Sequence, residues 1–185
     1  MHGMIIAKKR EILKDLVFSF LKKDIHESSI RDEYKFYQLI RILASQAGQL
    51  VNANELGNTI GVLQDTIKRY LYVLRKSCII RLHSPFHRNI HKELTKMPKI
   101  YFLDGGLRNC LQNRYPDIVV QTMDRQVLEN QVVIDLARGG VDNLKFWRTQ
   151  DKHEIDLVID DSAAYEVKNN IKQFNSSKYR AFERA

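Results

Sequence analysis

Cysteine is nearly absent, since the 185 residues hold only Cys78 and Cys110. Each stands alone, without C-x-x-C or Cys/His spacing, which excludes a recognisable zinc site and predicts two reduced core thiols. Long apolar runs are missing too. No stretch approaches the ~20 residues of a membrane-spanning helix, and the opening Met1–Arg10 puts its basic residues after a short apolar stretch, the reverse of a secretory signal. A cytoplasmic protein with no membrane partner is therefore expected. Familiar catalytic signatures are equally scarce. No G-x-x-x-x-G-K-[ST] occurs, so this chain by itself is not expected to bind or hydrolyse ATP. No Ser or Cys sits in a nucleophile elbow. The six histidines include no helical metal pair, because His83, His87 and His91 surround Pro85.

What is present is an uneven charge. The net charge is +8, but residues 65–99 alone carry nine basic and two acidic side chains, while residues 1–64 contribute +2 and residues 100–185 contribute −1. A basic patch of this kind attracts a polyanion such as nucleic acid, and a solvated basic face is the alternative. With 44% hydrophobic residues, the chain has enough apolar material for one generous core or two small ones.

Helical periodicity marks a first segment from about Lys9 to Lys23 and a second from about Asp32 to Ala47, with Gly48 placed to end it. Asn52 and Glu55 then form a capping box that opens a short helix closing near Gly61. From Gln64 or Asp65 a longer helix keeps Ile67, Leu71 and Leu74 on one face and Lys68, Arg69 and Arg75 largely off it. Strand-like Cys78–Leu82 and Lys99–Leu103, the latter ended by Asp104-Gly105-Gly106, flank a basic loop. Short helix, tight turn, basic helix and two strands read as a winged helix-turn-helix over residues 32–112, after an N-terminal helix and linker over 1–31. Lys68, Arg69, Arg75, Lys76, Arg88 and Lys92 are the candidate contacts to DNA phosphates. A winged helix devoted to protein docking is the competing reading.

Residues 113–185 read as a second, α/β domain after a link around Asn113–Pro116. A helix from about Asp124 to Ala137 sets Glu129 in series with Val132, Val133 and Leu136, and Gly139-Gly140 ends it. Three strands follow: Leu144–Arg148, Glu154–Ile159 and Ala164–Lys168, the last two joined by the turn Asp160-Asp161-Ser162. Alternation puts Ile155, Leu157 and Ile159 on one face with Asp156 on the other, and pairs Glu166 with Lys168. Glu129, Asp156, Glu166 and Lys168 are thus expected to converge. Carboxylates with one lysine suit metal-assisted phosphodiester hydrolysis, in which Asp156, Glu166 and Glu129 hold Mg²⁺ or Mn²⁺ and Lys168 positions the attacking water. A structural ion-pair cluster is the alternative.

The order helix-Glu, strand-Asp, strand-Glu-x-Lys resembles the PD-(D/E)xK restriction-endonuclease-like superfamily. More narrowly, Phe36 to Lys168 is similar to the DUF4143 region at the C-terminal end of bacterial and archaeal AAA-type ATPases. The likeness rests on Gly48–Asn52, Thr66–Leu71, Pro85–Asn89, the run Lys96-Met97-Pro98-Lys99-Ile100-Tyr101-Phe102-Leu103-Asp104, Glu129-Asn130, Phe146–Arg148, Glu154–Ile159 and Glu166–Lys168. The resemblance implies a winged helix followed by a nuclease-like domain, DNA as partner, and an ATPase domain of a longer parent chain ahead of residues 1–31. A nuclease-like fold normally adds a helix and a strand after Glu-x-Lys, where this sequence has only a helix-like run from about Ser176. A missing last strand is expected to leave a sheet edge open to pairing, for example with another copy of the chain.

Overall fold

The computed structural model describes residues 30–87, 96–114, 124–149, 153–160 and 162–168, with most of 8–22, Ser28 and Phe182. The architecture is α+β. Five helices, α1 (Glu33–Ser45), α2 (Ala53–Ile60), α3 (Gln64–Lys76), α4 (Gly105–Leu111) and α5 (Arg125–Arg138), accompany strands β1 (Ile80–His83), β2 (Lys99–Phe102), β3 (Leu144–Arg148), β4 (Glu154–Ile159) and β5 (Ala163–Tyr165). The described residues between 8 and 22 are also helical. No helix among the described residues is long and apolar enough to cross a membrane.

Two units are each assembled from separated stretches of chain. Met1–Ser45, Asn52–Ile80 and Asp104–Pro116 make the first; Gln46–Val51, Arg81–Leu103 and Asp117–Ala185 make the second. A division at residue 113 follows sequence order, whereas the structure gives 81–103 to the second unit and 104–116 to the first. The reason lies in β2. Its Phe102 is held at both backbone atoms by the Asn130 side chain of α5, which accepts from the amide at 2.8 Å and donates to the carbonyl at 3.0 Å.

The first unit is helical, and its boundaries follow local chemistry. Asn52 caps α2 by accepting from the Asn54 and Glu55 amides at 3.1 and 3.2 Å, and Gly61 ends it in the left-handed conformation at φ 75°. Three residues, Gly61 to Leu63, separate α2 from α3. Gly57 makes this turn possible, because a Cβ there would lie 2.7 Å from the Val62 carbonyl. Ile67, Leu71 and Leu74 of α3 are buried as the periodicity predicts, with Phe36 of α1 edge-on to Tyr70 at 5.2 Å. Asp104 does more than stop a strand. It accepts from the Leu107 amide at 2.7 Å and caps α4, a helix the Gly-Gly pair conceals.

In the second unit β1 and β2 form one sheet, with residues 48–51 alongside β2 through the hydrogen bonds Gly48 N to Ile100 O and Val51 N to Pro98 O. The other sheet has the order β3-β4-β5, antiparallel throughout. Its register shifts between Lys145 and Trp147, where two residues of β4, Asp156 and Leu157, oppose the single Phe146. This bulge overrides simple alternation. Ile155 packs with Trp147 and Val158, while Leu157 and Ile159 pack with Val133 and Leu144, so the expected single face of Ile155, Leu157 and Ile159 does not form. β5 also stops at Tyr165 rather than Lys168. The run from about Ser176 lies outside the described residues except for Phe182, whose ring meets Phe86 and Trp147.

Candidate functional site

Arg125 opens α5, directly after Asp124, whose side chain accepts from the Gln126 amide. One turn later comes Glu129, so the two side chains share a helix face. Glu129 is buried, and its Oε1 accepts from Tyr101 Oη at 2.5 Å and from Lys99 Nζ at 3.1 Å. Lys99, itself buried, also lies 2.6 Å from Glu154 and 4.0 Å from Asp156. Three carboxylates therefore surround one ammonium, which sits 5.4 Å from the Phe146 ring centre.

Asp156, at the β4 bulge, is fully buried. One nitrogen of Arg125 reaches both its oxygens, at 2.7 and 2.9 Å, and the Val167 amide adds a third hydrogen bond at 2.9 Å. Glu166 and Lys168 are brought together as an ion pair just beyond β5. The Arg125 guanidinium feels Asp156, Glu129 and Glu166 together, and that attraction outweighs its partial burial to hold it above the ordinary arginine range. Burial likewise pulls Lys99 down, but Glu129, Glu154 and Asp156 jointly keep it above the usual lysine value. Burial pushes Glu129 up, with the Lys99 charge opposing. It also lifts the Tyr101 hydroxyl well above its ordinary value, reinforced by Glu129. Beside Tyr101, with ring centres 4.7 Å apart, His83 is buried without a hydrogen-bond partner at either nitrogen among the described residues. Burial, Arg81 and Lys99 lower its pKa to about 3.

Of the four residues expected to converge, Glu129 and Asp156 meet through Lys99, Glu166 joins them through Arg125, and Lys168 is engaged by Glu166. Sequence reasoning missed Lys99, Tyr101 and Arg125. The one available signal was the conjunction of a lysine, a tyrosine and a carboxylate-bearing helix, which becomes specific only once β2 lies beside α5. A divalent ion does not suit this donor set as it stands. Both Asp156 oxygens already accept from cationic or amide donors, and the engaged Glu129 oxygen faces an ammonium. Among the described residues no group of three or more His, Cys, Asp or Glu is arranged to hold a metal.

The basic residues of α3 occupy a separate surface, on the first unit. Lys68, Arg69, Arg75 and Lys76 are all exposed, as is Tyr72 between them, while Ile67, Tyr70, Leu71 and Leu74 face inward. Arg75 lies 5.9 Å from the Tyr72 ring centre, and Lys68 is 3.3 Å from the exposed Asp65. Arg88 and Lys92 lie outside the described residues.

Residues 5–122 match a domain of unknown function, DUF8612. The chain belongs to that family. Membership in DUF8612 corrects the resemblance to DUF4143. The physical reason is visible in the run that carried the likeness. Lys99 and Tyr101 are buried partners of Glu129, and Asp104 caps α4, so the run is constrained by packing that a second family can share. The DUF8612 chain is 30% identical over 148 residues to uncharacterized proteins of Mycobacterium tuberculosis and Mycobacterium bovis, covering 78% of this chain and 34% of each relative. It is 28% identical over 158 residues to an uncharacterized protein of Haemophilus influenzae, covering 81% of the chain and 37% of that relative. The chain thus spans about a third of the length of these curated relatives. No solved structure matches it.

Proposed function

We propose that the protein is a non-catalytic DNA-binding module, in which α2, the turn and α3 act as a helix-turn-helix and α3 is the helix that faces the duplex. The observation that carries this reading is the stripe Lys68, Arg69, Tyr72, Arg75 and Lys76 along the exposed face of α3. Lys68, Tyr72, Arg75 and Lys76 follow the i, i+4, i+7, i+8 spacing of one helical face and Arg69 adjoins it at i+1, so the four cations fall within an arc of about 120°. Their apolar counterparts anchor the helix, and Gly57 lets α2 close against the turn. Two helices joined by a three-residue turn containing glycine suit insertion of the second helix into the major groove.

Phosphodiester hydrolysis is not part of this proposal. Glu129, Asp156, Glu166 and Lys168 are already engaged with one another or with Lys99, Arg125 and Tyr101, and a buried carboxylate with its lone pairs so engaged is a poor ligand for a hard cation.

Fluorescence anisotropy with a labelled DNA duplex over a range of salt concentrations tests the reading. Wild-type affinity should fall linearly in log–log form with salt, and each of Lys68→Ala, Arg69→Ala and Arg75→Ala should lower the slope by about 1. Asp156→Asn, which lies elsewhere, should bind as wild type. If the wild type ignores DNA, or the α3 variants bind with an unchanged slope, the exposed stripe serves another partner and the proposal fails.

A further inference from the structure

We infer that a cavity in the second unit is a binding site for a small aromatic anion, a flat ring system carrying a single carboxylate. The cavity has a volume of about 300 Å³, at the lower end of the range for small-molecule sites. Leu50, Pro85, Met97 and Phe146 make its walls apolar, so the body that fills it is apolar too, and Phe146 offers aromatic surface to a flat ring. The polar lining consists of Lys96, Arg148 and Thr149. Thr149 Oγ1 accepts from the His153 amide at 3.1 Å, which leaves the hydroxyl proton to donate. Two cations and a hydroxyl donor thus border the space, and among the described residues no carboxylate lines it. Such a set of donors complements an anion and disfavours a cation.

Backbone pairing holds these walls in place. Leu50 bridges to Lys99, and the Val51 amide donates to the Pro98 carbonyl at 2.8 Å. Pro85 bridges in parallel to Phe146, whose amide donates to the Ser84 carbonyl at 3.2 Å. A cavity framed in this way is largely formed before a ligand arrives, so binding has little backbone to order. Arg148 can also be shared. Its Nε lies 3.7 Å from Glu154 Oε2, beyond hydrogen-bond length, while Glu154 Oε1 is held by Lys99 at 2.6 Å. A ligand carboxylate can therefore take Arg148 without leaving Glu154 unpaired. Met97, apolar yet 45% exposed, gains burial when the cavity fills. Every lining residue belongs to the second unit, so the inference stands independently of DNA binding by α3.

The test is an NMR titration of the full chain with naphthoate, beside naphthylmethanol and naphthylmethylammonium as neutral and cationic forms of the same ring. Naphthoate should shift the Leu50, Phe146 and Thr149 amides saturably. The alcohol should bind about tenfold more weakly, the loss of one charge-assisted hydrogen bond, and the ammonium should leave these amides unmoved. Arg148→Gln should weaken naphthoate by a similar factor. Lys96→Gln and Met97→Glu change exposed positions and keep the test open where Arg148→Gln fails to fold; the first should weaken naphthoate binding and the second abolish it. Lys68→Ala, on α3, should bind naphthoate as wild type. The inference is overturned if naphthoate moves none of the three amides, if it acts chiefly on residues of α3, or if the alcohol binds as tightly as the acid.

Discussion

Lys99 of β2 and Glu129 of α5 form a buried ion pair at 3.1 Å, thirty residues apart in sequence, with Glu154 and Asp156 completing the acidic surroundings of the ammonium. Because Lys99 is the inner cation for three carboxylates, Lys99→Met leaves uncompensated charge in the interior. The expected loss is about 3–5 kcal/mol in urea unfolding at neutral pH, the range for breaking one side of a buried pair. A loss under about 1 kcal/mol would show that water or a rearranged side chain already serves the carboxylates.

The Asn130 clamp on Phe102 predicts a second large effect. Asn130→Ala leaves both an amide and a carbonyl of β2 unpaired in a buried setting, at about 1–3 kcal/mol each. Hydrogen exchange should find the Phe102 amide among the groups most accelerated by the substitution. Unchanged protection there would count against the clamp.

His83 makes stability depend on pH on the acid side. Its pKa in the folded chain is about 3, below the unfolded value of 6.5, so between these limits the unfolded state binds the extra proton. The contribution is complete above pH 6.5 and declines as pH falls towards 3. Between pH 6.5 and pH 5 the loss should be about 2 kcal/mol, at about 1.4 kcal/mol per pH unit. His83→Leu should flatten that limb of a plot of unfolding free energy against pH. An identical slope in the variant would assign the acid sensitivity to other groups.

Gly57→Ala sets helix propensity against sterics. Alanine ordinarily gains about 1 kcal/mol over glycine within a helix. Here its Cβ would lie 2.7 Å from the Val62 carbonyl, backbone that is itself fixed by the turn, so the clash should win. A net destabilisation of about 1–3 kcal/mol is expected, together with weakened DNA binding as α3 shifts. A stabilised variant would mean that the turn opens freely.

Much of this was legible before any tertiary contact was known. The bounds of α2 and α3 follow from Asn52, Gly61 and the apolar spacing of Ile67, Leu71 and Leu74, all signals carried within one or two turns. The same holds for α5, whose start at Asp124 and end at Gly139-Gly140 are local chemistry. Glu129 and Asp156 could be singled out because a carboxylate in an otherwise apolar pattern demands a partner.

Which partner answered that demand was decided by tertiary structure alone. Lys99 and Arg125 find their carboxylates across 30 and 31 residues, and nothing in the sequence near Asp156 announces either. The bulge opposite Phe146 re-aims β4 through a register shift that strict alternation does not anticipate. Placement of residues 81–103 in the second unit likewise depends on Asn130 gripping β2. Local sequence thus determined where elements begin, end and turn, because caps, glycines and periodicity act over a few residues. Charge pairing required the sheets to be assembled first, since the energy of a buried carboxylate depends on whichever cation the fold carries to it.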